Sequence, residues 1–214
     1  MKNRAFGAVV MALVLASCDG GRPGEGSGAL GGEGEEASLE LRGFSPLAGT
    51  GWLVATVGAD GKRRGIELSS KGYKEAIYNV ALVDRATGET ISLLPDETRL
   101  IEQYYFARPQ AGPLYGSADY REESEDTVAP LYYLLQTIVT TDEGKQHVLV
   151  AGSLEDFSSG PIATGFSDIA HAEMLDAQRV SIVLRNGKQH RLLVVNLATR
   201  EVELEKKITP RPAG

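Results

Sequence analysis

Apolar residues fall along this chain in short runs rather than at helical spacing. The main runs are Gly51–Val57, Ile77–Val83, Tyr132–Thr140, His147–Ala151, Val180–Leu184 and Arg191–Leu197. Each spans five to nine residues, is rich in Val, Ile, Leu and Tyr, and stops at Gly, Asn or Asp. β-Branched and aromatic side chains suit a pleated surface, so runs of this length and make-up predict strands. Between them, "DRATGE" (Asp84–Glu89), "DEGK" (Asp142–Lys145) and "RNGK" (Arg185–Lys188) carry the residues of hairpin turns. The best helix candidate, Asp168–Asp176, is short and has no continuous apolar face. The prediction is an all-β domain.

The pattern also repeats. "GKQH" occurs at Gly144–His147 and again at Gly187–His190, 43 residues on, each copy between two apolar runs. "ALVDRATGETISLL" (Ala81–Leu94) aligns with "LVVNLATREVELEK" (Leu193–Lys206) at an offset of 112. Matching Val80 to Val148 places the first unit 68 residues before the second, and the surplus falls in the Pro-, Gly- and acid-rich segment Arg108–Pro130. Three four-stranded antiparallel units result, over residues 41–94, 99–164 and 168–208. Four strands per 40–45 residues is the period of a β-propeller blade. The strand–"D-x-x-T-G-E"–strand pattern at Asp84–Glu89 resembles the WD40-like propeller blades of bacterial envelope proteins. Propellers typically close with at least four blades. Three units therefore leave a degenerate fourth unit, self-association through open sheet edges, or a β-sandwich or open barrel as the alternatives.

The N-terminus has a different pattern. Lys2 and Arg4 precede an apolar run from Ala5 to Ala16, then Ser17 and Cys18, the only cysteine. A basic start, a short apolar stretch and small residues before a cut make a secretory signal peptide of residues 1–17. Twelve apolar residues are too few to span a bilayer, which takes about 20. Leu15-Ala16-Ser17-Cys18 resembles the lipobox of bacterial lipoproteins. That resemblance implies a diacylglycerol on the Cys18 sulfur, with Cys18 as the new N-terminus and further acylation such as palmitate. Several acyl chains make a stable anchor where one chain does not. Asp19 resembles the signal that retains enteric lipoproteins in the inner membrane, which implies a protein facing the periplasm from that membrane.

Residues 18–36 form a tether: eight of the seventeen residues from Gly20 to Glu36 are glycine. As a flexible coil it would span about 20–25 Å. Residues 37–210 have the composition of one folded domain, and 211–214 are a tail. The formal charge of −7 becomes −9 when Lys2 and Arg4 leave with the signal peptide. Such acidity argues against nucleic acid and against a bare anionic membrane as partners. With Cys18 used as an anchor, the domain has no thiol for a disulfide, catalysis or a cysteine metal site.

No motif supplies a reaction. "GSGALG" (Gly26–Gly31) has dinucleotide-loop spacing but lies inside the tether, without the flanking strand and helix that such a site needs. "DGKRRG" (Asp60–Gly65) reads as a solvated turn. His147 and His190 hold repeated positions at strand starts, and His171 would share a strand face with Glu173, but neither arrangement amounts to a metal site. We expect no catalytic residue, no metal and no cofactor beyond the covalent lipid. Tyr104 and Phe106 are expected on one strand face and Tyr105 on the other, with Tyr132 and Tyr133 divided likewise. Outward-facing tyrosines beside "DYREESED" (Asp119–Asp126) would suit a protein contact. The expected partner surface is Tyr115, Tyr120, Glu122, Glu123, Glu125 and Asp126, and deleting Ala111–Ala129 is expected to leave the domain folded. The expected function is that of a membrane-anchored, non-enzymatic binding or scaffolding module with an envelope protein partner. Self-association is the other expected contact, and a periplasmic hydrolase using carboxylate chemistry is the alternative function.

Overall fold

Alternation of side chains across short β-branched runs produces strands throughout the computed structural model, which describes residues 39–59, 76–116 and 127–209. Among these there are fourteen strands and no helix. The first unit is an antiparallel meander of β1 (Glu40–Pro46), β2 (Trp52–Ala59), β3 (Ala76–Asp84) and the short β4 (Thr90–Ser92). The second is β5 (Leu100–Ala107), β8 (Tyr132–Thr141), β9 (Gly144–Ser153) and β10 (Ser159–Thr164). The third is β11 (Asp168–Met174), β12 (Arg179–Asn186), β13 (Gln189–Asn196) and β14 (Glu201–Ile208). The span suggested as the best helix candidate is thus strand β11.

The three four-stranded meanders form two antiparallel sheets. One has the order β1-β2-β3-β5-β8-β9-β10, the other β14-β13-β12-β11, and neither closes into a barrel. The first and second units are joined because β3 shares one edge between two strands. Ala81–Val83 pair with β4, while Ile77 pairs with Ile101 of β5. Asn79 fills the gap between them. Its amide donates to Leu94 O (2.9 Å) and its oxygen accepts from Leu94 N (3.0 Å) and Val80 N (2.9 Å), in place of ladder bonds.

Two apolar cores lie on opposite faces of the second unit. Val54, Val80 and Leu82 of the first unit pack with Phe106, Tyr133, Leu135 and Val150. On the other face Leu134, Leu149 and Ala151 meet Val180, Ile182, Leu184, Leu193 and Val195 of the third unit. Full burial of side chains of this size contributes about 1.5–3 kcal/mol each. A strand covered on both faces needs no polar side, which is why "YYLLQT" (Tyr132–Thr137) is buried without a break. The split of the aromatic residues follows the expected alternation: Tyr104, Phe106 and Tyr133 enter one core, while Tyr132 enters the other and Tyr105 packs against it. They do not form an outward contact surface. Tyr104, Tyr132 and Tyr133 are buried because both faces of β5 and β8 are interior.

The aligned turns share their chemistry. Asp84 Oδ1 accepts from Ala86 N and Thr87 N, and Asn196 Oδ1 accepts from Ala198 N and Thr199 N. Ser153–Ser158 is a third copy, closed by Ser153 N to Ser158 O as Asp84 N closes on Glu89 O. All three place one residue in the left-handed region, Gly88 (φ 76°), Phe157 (φ 55°) and Arg200 (φ 63°). In the second and third copies that residue reaches back to the preceding unit. Phe157 makes an edge contact with Trp52 (6.1 Å between ring centres), and Arg200 Nη1 donates to Ser158 Oγ (2.8 Å). Gly88 has no side chain with which to do the same.

A further Asx turn links β11 to β12. Asp176 accepts from Gln178 N, Arg179 N and Arg179 Nε, and these bonds, the backbone ones first, hold its carboxyl down from 3.8 to about 2. A carboxylate whose pKa is lowered by folding stabilises the native state above its unfolded pKa and loses that effect as pH falls through the folded value. Acid unfolding between pH 4 and pH 2 should therefore be shallower in Asp176→Asn than in the native chain. Equal slopes in denaturation series across that window would contradict this account.

The long loop is tied into the fold at its start. Gly112–Pro113 (β6) pair with Glu173 and Met174 of β11, and Tyr115–Gly116 (β7) pair with β5. Leu114, between them, is buried in the second core. Gly49 (φ 78°) lies so close to the loop's end that a Cβ there would sit 2.7 Å from Thr127 O. Deleting Ala111–Ala129 therefore removes a core side chain and both strand pairings, and the expectation of an intact fold is corrected.

Candidate functional site

The clearest polar constellation lies on the face of the second unit that looks toward the third. The β5–β8 register slips between Ile101 and Gln103, so Glu102 is the extra residue of a bulge. Bulges re-aim side chains, and here Glu102 turns onto the face that carries Gln136 of β8 and His147 of β9. Gln136 Nε2 donates to Glu102 Oε2 (2.6 Å), and His147 Nδ1 lies 3.0 Å from the same oxygen. Gln136 is 2% exposed, and its Oε1 has no hydrogen-bond partner. The His147 ring rests 5.8 Å from that of Phe166, in the segment that leads into β11.

Phe166 also forms one wall of a half-open cleft of about 200 Å³, lined in addition by Leu184, Arg185, His190, Arg191 and Lys207. Two of its cations are already paired: Arg185 Nη2 with Asp168 Oδ2 (2.6 Å) and Arg191 Nη1 with Glu205 Oε1 (2.8 Å). Arg191 also donates to Thr164 O. Nearby, the Tyr105 hydroxyl donates to Gln103 Oε1. Burial, and secondarily the Asp168 charge, push that hydroxyl above its ordinary pKa of 10 and keep it a donor at neutral pH.

The repeated histidines thus flank one phenylalanine, His147 against its ring and His190 on the cleft beside it. Chemically, the seam offers amide, carboxylate, imidazole and guanidinium groups to a polar ligand. A carboxylate on Nδ1 also fixes an imidazole's tautomer and orientation, as it does beneath a general base. His171 and Glu173 share the outer face of β11 with Nε2 and Oε2 3.6 Å apart, as strand spacing implies. Among the described residues no group of three or more His, Cys, Asp or Glu is placed to hold a metal ion.

The structure places only part of the surface proposed from sequence. Tyr115 is half-buried on β7, with the Arg108 guanidinium 4.0 Å above its ring. Tyr120, Glu122, Glu123, Glu125 and Asp126 lie outside the described residues, as do Cys18, Asp19, Gly26–Gly31 and Asp60–Gly65. The feet of the loop nevertheless lie at the end of the molecule where large apolar side chains are exposed: Val128, Leu131 and Leu175. Leu131 N bonds to Ala107 O, and Leu175 follows the residue that pairs with Gly112.

Glu102 and Gln136 were not singled out from the sequence. Gln136 left a trace, as an amide inside the apolar run "YYLLQTIVT". Glu102 left none, because only strand register reveals a bulge.

The fold and this seam define an all-β protein of two antiparallel sheets with a polar, partly ion-paired cleft at a junction between strand units. Compared with protein-family models, curated proteins and solved structures, the chain finds no match.

Proposed function

We propose that this chain is a lipid-anchored lipoprotein of the bacterial cell envelope, facing the periplasm, whose β-domain is a non-enzymatic binding or scaffolding module. The observation that carries the reading is the order of residues 1–18: basic start, short apolar run, then Leu15-Ala16-Ser17-Cys18 around the single cysteine. Asp19 favours the inner membrane over the outer. Val128, Leu131 and Leu175, exposed at or next to the feet of the loop, support a protein partner there, since exposed apolar side chains gain by leaving water on contact. The three meanders, with their common turn and the 43-residue offset between the second and third, support a propeller-blade-like reading of the units.

Cys18→Ser should transfer the protein from the membrane fraction to the soluble fraction. Persistence of that variant in washed membranes would defeat the anchor. In-cell crosslinking of the intact protein should yield one dominant envelope adduct, reduced at least tenfold when Leu131 and Leu175 are changed to serine.

The second reading is a periplasmic hydrolase, favoured by one geometry, the 3.0 Å contact of His147 Nδ1 with Glu102. It predicts a hydrolytic activity abolished by His147→Ala, and no dominant crosslinked adduct.

A further inference from the structure

One row of the third unit sets two cations side by side. Arg191 of β13 stands directly opposite Lys207 of β14, with Leu184 of β12 on its other side. Like charges directly opposite each other destabilise a sheet. Glu205 offsets only one of them, through its 2.8 Å contact with Arg191 Nη1, and Arg191 also donates to Thr164 O. The Lys207 ammonium has no hydrogen bond or ion pair among the described residues. The repeat does not require this arrangement. At the 43-residue offset the two positions correspond to Val148 and Thr164, which also pair directly and carry no charge. The third unit holds two cations where the second holds none.

Both cations line the half-open cleft of about 200 Å³ beside Phe166. Arg185 lines it too, against the single carboxylate of Glu205, although the chain as a whole carries a formal charge of −7. Arg185 is matched by Asp168 and Arg191 by Glu205, so one positive charge is left over. Phe166 and Leu184, both buried, supply an apolar wall. We propose that this cleft binds a small organic monocarboxylate, its charged end on Lys207 and Arg191 and its apolar body against Phe166 and Leu184. One uncompensated cation calls for one negative charge. Size sets the other limit: sites for drug-sized ligands enclose about 300–1,000 Å³, so this cleft takes a smaller molecule. The proposal rests neither on the lipid anchor nor on the contact at Leu131 and Leu175.

The test uses the full chain carrying Cys18→Ser, which cannot be lipidated, with benzoate as probe and benzamide as its uncharged counterpart. Benzoate should shift the amide resonances of Phe166, Leu184, Arg191 and Lys207 saturably, with millimolar affinity, and benzamide should not. Lys207→Gln should weaken benzoate at least threefold, the scale of one exposed ion pair, while Lys207→Arg should retain it. Without benzoate, Lys207→Gln should melt no lower than the parent, because it removes a like-charge pair. A lower melting temperature for that variant would make the lysine a structural residue and overturn the proposal. So would benzamide binding as tightly as benzoate, unchanged benzoate affinity in the folded Lys207→Gln variant, or no saturable shift at the cleft.

Discussion

Replacing Gly152 by alanine is expected to destabilise the domain by about 3 kcal/mol, the upper part of the range for overpacking a filled core. Gly152 stands directly opposite Tyr133 in the β8–β9 ladder, and the far end of the tyrosine ring lies against it. A Cβ there would come within 2.6 Å of Tyr133 Cε1 and closer still to Cζ and the hydroxyl oxygen. The ring has nowhere to go. It is fully buried in the core between the first two units, and its hydroxyl donates to Leu93 O at 2.9 Å. Burial accordingly raises the Tyr133 pKa and keeps the donor protonated. Urea denaturation of Gly152→Ala measures the loss. Combining it with Tyr133→Leu should cost clearly less than the sum of the two single changes, because the clash needs both partners. Strict additivity, or a loss under about 0.5 kcal/mol for Gly152→Ala, which is ordinary for a surface substitution, would show that this close approach does not constrain the fold.

Asn79→Ala should be nearly as damaging, at about 2–4 kcal/mol, since a buried polar group left unpaired costs about 1–3 kcal/mol. Asn79 is 1% exposed, and its loss strands Leu94 N, Leu94 O and Val80 N where β3 changes partner from β4 to β5. The effect should be local before it is global. Amide exchange at Val80 and Leu94 is expected to accelerate more than exchange at Leu134 or Val150. Uniform acceleration would place the damage in the whole fold rather than at the joint between the first two units.

Much of this architecture was legible because strands announce themselves locally. Run length, β-branched content and turn residues located β2, β3, β8, β9, β12 and β13. The "D-x-A-T" and "N-x-A-T" alignment marked two turns that close with the same hydrogen bonds. The third copy, Ser153–Ser158, escaped notice because serine replaces the acidic or amide side chain. The loop was misread for a different reason. Gly112, Pro113 and Leu114 look like loop residues in sequence, yet they meet β11 some sixty residues downstream, and nothing local encodes that contact. Likewise the tyrosines of β5 and β8 alternate as strand geometry requires. Whether both faces are interior depends on which units pack beside them.

The sequence by itself determined the all-β class, three four-stranded meanders and the division of aromatic side chains between strand faces, since these follow from side-chain alternation and turn chemistry within a few residues. It also carries the Cys18 motif on which the proposed anchor rests. Only the tertiary structure decided that the first two meanders share one sheet through Asn79 and Ile77. The same holds for the two cores on the second unit, and for the bulge that turns Glu102 toward Gln136 and His147. Those features depend on strand register and on contacts between residues far apart in the chain, and neither is written in local pattern.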